Sequence, residues 1–137
     1  MAGYSATPLA RKLGIREGAR VRLKNEPEHY QQLLAPLPAG VTFSTRLRTD
    51  VDLCHFFTRE ERELRRTLPV LLTVIRQNGC IWVSWPKRAS GVATDITEDT
   101  IREVALPLGL VDVKVCAVDE TWSGLKLVIR KELRTGL

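Results

Sequence analysis

Val51-Asp-Leu-Cys-His-Phe-Phe57, Thr58-Arg-Glu-Glu61 and Cys80-Ile-Trp-Val-Ser-Trp85 spell strand, helix, strand in succession. The first run is apolar apart from one aspartate and one histidine, as expected of a central strand covered on both faces. Thr58 followed by Glu61 has the pattern of a capping box. Beyond it, Leu64, Leu68, Leu71, Leu72 and Ile75 recur on one helical face. Pro69 interrupts that run. It lacks a backbone donor and crowds the preceding turn, so a kink or two shorter helices are expected. Asn78-Gly79 is expected to end the helix, and Cys80 to Trp85 is the next buried strand.

Reading outward toward the start, Val41 to Arg46 is expected as a strand. Asn25 can cap a helix that carries Pro27 and Glu28 in its first turn and stops before Pro36. Arg20 to Lys24 alternates Val21 and Leu23 with basic residues, as an outer strand would. Thr7 and Pro8 read as an N-cap followed by proline at the first helical position, in a short helix that runs to Leu13 and stops at Gly14. Toward the end, Thr97 with Glu98 and Asp99 starts a helix that closes at Gly109. Val111 to Val118 and Leu125 to Arg130 are strands joined by Asp119-Glu-Thr-Trp-Ser-Gly124, a short polar link that makes them an antiparallel hairpin. The order α-β-α-β-β-α-β-α-β-β predicts an α/β fold: an open, mostly parallel Rossmann-like sheet of about six strands, with a C-terminal antiparallel hairpin and helices on both faces.

The 137 residues suit one domain, 1–137, with 1–18 as an N-terminal arm and short helix. Hydrophobic residues at 44% and charged residues at 27% are ordinary for a globular chain, which at this size needs no metal or disulfide to fold. No apolar run is long enough to span a bilayer, and residues 1–13 lack the apolar core of a secretory signal. Cys54, Cys80 and Cys116 are far apart and each lies in an apolar run, so they read as buried reduced thiols. His29 and His55 have no partner at metal-ligand spacing. No metal site, no cofactor and a cytoplasmic location are therefore expected.

Charge is uneven. Residues 1–24 carry six basic residues against Glu17 alone, while the rest of the chain is balanced. A basic front can meet an anionic partner. No aromatic-rich strand is interleaved with the basic residues and no helix-turn-helix pattern occurs, so nucleic acid is the less favoured partner.

Two resemblances follow. Val51–Phe57, Asn78-Gly79 with Cys80–Ser84, Gly109-Leu-Val111 and the Trp122 hairpin resemble the second half of a class I S-adenosylmethionine methyltransferase. In the strand names of that family, this implies the order 2-1-4-5-7-6, with the third strand missing. The first half departs from it. Such a cofactor site needs glycines after the first strand, where the backbone approaches the ligand. Here that loop is Lys24-Asn-Glu-Pro-Glu28, no glycine occurs between Gly18 and Gly40, and the second strand runs into Arg46-Leu-Arg48 with no acidic residue to hold a ribose. The ancestral cofactor site is expected to be lost. Across nearly its whole length the chain also resembles a bacterial family of unassigned activity, domain-of-unknown-function family 3052. The stretches concerned are Gly3-Tyr-Ser, Thr7-Pro-Leu-Ala, Lys12-Leu-Gly-Ile15, Trp85-Pro-Lys, Ala89-Ser-Gly-Val-Ala-Thr-Asp95 and Lys114 to Gly124. That resemblance implies a fold and no function.

Ligands of open α/β sheets bind beyond the carboxyl ends of the strands. The candidate ligand-binding residues are those expected at that edge: Asn25, Lys87, Arg88, Ser90, Asp95, Asp119, Glu120, Trp122 and Ser123. Lys87, Arg88 and Ser90 lie in an eleven-residue loop, Pro86 to Ile96, and could hold a phosphate or carboxylate. The bland alternative has Ser90 in a turn, Asp95 capping the following helix and both cations solvated. Asp119 and Glu120 could do acid–base work only if their pKa values separate. Trp122 is a core residue or a stacking surface. His55 reads as a satisfied core residue, and no nucleophile has a base at readable spacing, so no catalytic residue is assigned. Tyr4 and Ser5 form either an ordered arm or a frayed end.

Three functions remain open. The favoured one is a non-catalytic binding or regulatory module that takes a small anionic ligand or a protein partner. The others are a small enzyme with a site rebuilt around Lys87, Asp95 and Asp119, and a nucleic-acid accessory protein acting through the basic front.

Overall fold

The computed structural model describes residues 7–46 and 48–135. Tyr4 and Ser5, expected as an arm, and Leu47 lie outside the described residues. Six strands form one sheet in the order β2-β1-β3-β4-β6-β5. They are β1 (Arg20–Lys24), β2 (Thr42–Ser44), β3 (Val51–Phe57), β4 (Ile75–Pro86), β5 (Leu110–Ala117) and β6 (Trp122–Ile129). The first four are parallel; β6 runs antiparallel to β4, and β5 antiparallel to β6. This is the order 2-1-4-5-7-6 with the third strand absent. The sheet is open, with β2 and β5 at its edges.

Helices cover both faces. The alternation of β1 and β3 sends Val21, Leu23, Leu53 and Phe57 to one side, where they pack with Ala10 and Leu13 of α1 (Leu9–Leu13) and Tyr30 and Leu34 of α2 (Tyr30–Leu34). Cys54, Phe56, Ile81 and Val83 face the other side, against Leu64, Leu68 and Leu71 of α3 (Glu61–Leu72) and Ile101 and Val104 of α4 (Glu98–Ala105). Among the described residues, no helix is long and apolar enough to cross a membrane. The three cysteines are free and buried. Burial pushes the thiols of Cys54 and Cys80 up to about 12 and about 11, so both stay protonated.

Several local expectations are corrected. Helix α1 begins at Leu9, with Pro8 rather than Thr7 in the capping position and no side-chain cap. Gly14 ends it at φ 86°, a left-handed conformation that glycine adopts without steric cost. Asn25 does not cap α2; that helix starts at Tyr30 after His29, because Asn25 itself sits at φ 60° and turns its amide elsewhere. Strand β2 is shorter than expected: a turn held by Ser44 starts straight after it, with Arg46 N–H donating to Ser44 Oγ at 3.2 Å. Thr58 and Glu61 make no capping box; Glu60 precedes α3 and provides no side-chain cap. Pro69 neither splits nor ends α3, because the buried Leu64, Leu68 and Leu71 hold the helix against the sheet through its last turn. The helix closes at Leu72 rather than Asn78-Gly79. These two residues lie inside β4, where the register with β3 jumps from Val51↔Ile75 to Leu53↔Cys80. Gly79 is required there, since a Cβ would stand 2.8 Å from the Asp52 carbonyl oxygen. Gly124 belongs to β6 rather than to the turn, packed against Ser84 and Trp82.

Candidate functional site

The carboxyl ends of β1, β3 and β4 and the turn between β5 and β6 enclose a groove of about 500 Å³. Asn25, Phe57, Thr58, Arg59, Glu63 and Trp122 form much of its lining. Asn25 Nδ2 donates to the Phe57 carbonyl oxygen and to Glu63 Oε2, each at 3.0 Å. Thr58 Oγ1 donates to Glu63 Oε1 at 2.7 Å. Both oxygens of Glu63 are thus held, and the loop after β1 is tied to the end of β3. Trp122 meets Phe57 edge-on at 5.1 Å, and Phe57 stacks on His55 at 4.2 Å; Phe57 and His55 are buried, so of these rings only the half-buried Trp122 flanks the groove.

Asp119 organises the turn that leads into Trp122. Its Oδ1 accepts the backbone N–H groups of Thr121 and Trp122 at 2.8 and 2.7 Å. Its Oδ2 lies 3.2 Å from His29 Nε2. Glu120 next to it is exposed and Ser123 is half-buried in β6, so the adjacent acids do not form a pair around one site.

The loop after β4 is attached to the groove by the Lys87 N–H, which donates to the Thr121 carbonyl at 2.8 Å. Ser90 Oγ donates to the Lys87 carbonyl at 2.6 Å and accepts the Val92 N–H, so it is a turn residue. Lys87 is half-buried and Arg88 exposed; among the described residues neither makes an ion pair. Asp95 caps a helix, but not the one that follows it. Its Oδ1 accepts the Glu61 N–H at 2.7 Å, supplying α3 with the cap its own sequence lacks. Helix α4 is capped instead by Thr97 and Thr100, each bonding the other's backbone N–H. Asp95 borders a separate shallow depression with Arg59 and Thr94, so Asn25 and Asp95 do not share a site.

Sequence reasoning missed Glu63 and Arg59, whose roles depend on neighbours distant in the chain. It also missed a buried chain of three polar residues. Tyr30 Oη is 2.7 Å from His55 Nδ1, and His55 Nε2 is 2.7 Å from Ser84 Oγ. Burial lowers the His55 pKa to about 3, so the ring is neutral. It accepts at one nitrogen and donates at the other, and either hydroxyl can take either role. A hydroxyl beside an imidazole has the makings of an activated nucleophile, but His55 and Ser84 are both 0% exposed and no substrate reaches them. The chain joins α2, β3 and β4 as a satisfied core network, as expected for His55.

The fold is that of the class I methyltransferases. A protein from Sulfolobus solfataricus described as a type 11 methyltransferase superposes with TM-score 0.65 at 12% identity, covering 90% of each chain. Magnesium protoporphyrin IX methyltransferase from Synechocystis, solved with bound SAM, gives 0.56 at 12%, covering 88% of this chain and 74% of that one. LepI, solved in complex with SAM, gives 0.56 at 11% over 90% of this chain, which spans only about half (47%) of LepI. At these identities the likeness concerns the fold alone. A search of the curated proteins finds no match. The chain belongs to the family described as protein of unknown function (DUF3052), whose model matches residues 44–131.

Proposed function

We propose that this chain is a non-catalytic binding or regulatory module, built on a methyltransferase fold whose cofactor position has been closed. The observation that carries this reading is the Asn25 side chain bonded to Phe57 and Glu63 across the position where the sheet's relatives approach their nucleotide. The loop there has no glycine, holds Pro27 between two glutamates, and is fastened to β3 by Asn25. The residues present do not fit an S-adenosyl group held against the backbone after β1. The groove that remains is within the usual size of small-molecule sites. The Trp122 ring at its side suits a flat or apolar body, and the unpaired Arg59 of its lining suits an anionic group, with Lys87 and Arg88 in the loop fastened to Thr121 next to it.

Thermal-shift and calorimetric titration with S-adenosylmethionine, S-adenosylhomocysteine and a panel of acidic metabolites tests this. Neither S-adenosyl compound should bind, and any acidic ligand found should lose at least tenfold in affinity in Lys87→Ala/Arg88→Ala. S-adenosylmethionine binding that competes with the groove ligand would overturn the reading. An enzyme with a rebuilt site is favoured by one observation, the His29–Asp119 contact, in which a half-exposed imidazole is oriented by a carboxylate. Activity on any member of the panel that disappears in His29→Gln, with the fold intact, would establish that alternative.

A further inference from the structure

Helix α1 covers only part of its face of the sheet. It ends at Leu13, whose carbonyl oxygen accepts the Trp82 Nε1–H at 2.8 Å. The next row toward the amino ends of β3 and β4 is Leu53, Cys80 and Val128, directly opposite one another on three neighbouring strands. Beside that row lies a pocket of about 630 Å³, bounded on its other side by the link between α1 and β1. Arg16, Arg76 and Asn78 of its lining are exposed, so the pocket opens to solvent. It shares no lining residue with the carboxyl-edge groove.

Lys126 of β6 lines this pocket and is half-buried. Its Nζ reaches the end of α1, since a Cβ added at Gly14, another lining residue, would stand 3.6 Å from it. Lys114 of β5 is its directly opposed cross-strand partner. Lys114 Nζ donates to the Lys12 carbonyl oxygen at 3.1 Å, so both ammonium groups lie on the α1 face. Like charges opposed across two strands are destabilising. Among the described residues neither lysine makes an ion pair, and Lys126 makes no hydrogen bond. The Asp52 carboxylate, also in the lining, is engaged elsewhere: Oδ1 lies 3.3 Å from Arg76 Nε and Oδ2 accepts the Arg20 N–H at 2.8 Å. Arg16 and Glu17 of the lining make no ion pair among the described residues. The unpaired charges of the pocket are thus Lys126 and Arg16 against Glu17, a positive excess. The Cys80 thiol is protonated and adds no negative charge to the floor.

We propose that this pocket binds a small organic carboxylate, its charged end on Lys126 and Arg16 and its body against Leu53, Cys80 and Val128. An anion at Lys126 offsets the repulsion between the two opposed lysines. The acidic lining residues select among anions: a phosphate dianion or a polyanion meets more repulsion from Glu17 and Asp52 than a single carboxylate does. The volume is within the usual range of small-molecule sites. The site does not depend on what the carboxyl-edge groove binds.

The test measures melting temperature and calorimetric binding with acetate, succinate, glutamate, inorganic phosphate and a short single-stranded oligonucleotide, against sodium chloride at equal ionic strength. At about 100-fold excess over Kd, at least one of the three carboxylates should raise Tm by roughly 5 °C or more beyond chloride. Lys126→Met should abolish that shift and, without ligand, melt no lower than the wild type, because it keeps an apolar stem and removes one of two opposed like charges. Arg16→Ala, on an exposed link, should weaken binding at least tenfold. Lys87→Ala/Arg88→Ala, beside the other groove, should leave it unchanged. Absence of a saturable shift with all three carboxylates, or its persistence in Lys126→Met, would overturn the proposal. So would phosphate binding more tightly than every carboxylate. Oligonucleotide binding that exceeds the carboxylates and falls as much in Arg11→Ala, outside the pocket, as in Lys126→Met would also overturn it, reassigning these cations to a polyanion surface.

Discussion

At the scale of single residues, the molecule turns on polar side chains whose partners are far away in the chain. His55 is neutral in the fold, with its pKa lowered to about 3 from an ordinary 6.5. Between those values the unfolded chain binds a proton that the folded chain refuses. Its contribution to stability is therefore complete above about pH 6.5 and is lost as pH falls toward 3, at about 1.4 kcal/mol per pH unit. Urea unfolding from pH 7 to 4.5 should show the advantage of wild type over His55→Gln shrinking with that slope; a pH-independent difference would contradict the assignment. Asn25 combines a left-handed backbone with two side-chain hydrogen bonds. Asn25→Ala should cost about 1–2 kcal/mol, and Asn25→Gly less, because glycine restores the backbone but not the bonds. Equal losses in a denaturation series would show that φ is immaterial. The sequence marked His55 as a core residue because an apolar strand surrounds it. It could not identify Tyr30 and Ser84, 25 and 29 residues away, as its partners. Asn25 was legible only as a residue type that bonds backbone groups, and the strand that receives its bond is set by sheet pairing.

At the scale of elements, the helices were legible by period and their ends were not. Leu64, Leu68 and Leu71 mark the buried stripe of α3, and that stripe outweighs Pro69, which is half-buried in the last turn. Pro69→Ala restores one backbone donor, so it should stabilise the protein by about 1–3 kcal/mol in urea unfolding. A loss would mean that the ring's packing matters more than the missing bond. The cap of α3 arrives from Asp95, 34 residues downstream. Asp95→Ala should cost about 1 kcal/mol and lower Tm, with amide exchange accelerated at the first turn of α3 rather than of α4. A local pattern such as Thr58–Glu61 cannot compete when the loop after β4 docks an acceptor on the same N–H. The turn of the C-terminal hairpin was readable because Asp119 bonds within three residues of itself, whereas its contact with His29 spans 90 residues.

At the scale of the whole molecule, β2 and β3 lie parallel on either side of β1, and only residues 45–50 separate them in the chain, where a longer connection would be usual. One of the sheet's two register shifts, between β3 and β4, lies at Gly79, where an added Cβ would meet three backbone oxygens at 3.2 Å or less. Gly79→Ala should destabilise by about 2 kcal/mol or more, since backbone rather than a pliable side chain must move; a near-neutral Tm would show that the β3–β4 junction is softer than its contacts imply. The alternation of strands and helices, the antiparallel end and the missing glycine loop were determined by sequence alone, because apolar period, turn chemistry and the demand for close backbone approach are local properties. The groove shared by Asn25, Glu63 and Trp122, the cap from Asp95 and the pocket lined by Arg16 and Lys126 were decided only by tertiary structure, because each depends on which distant segments the sheet brings side by side.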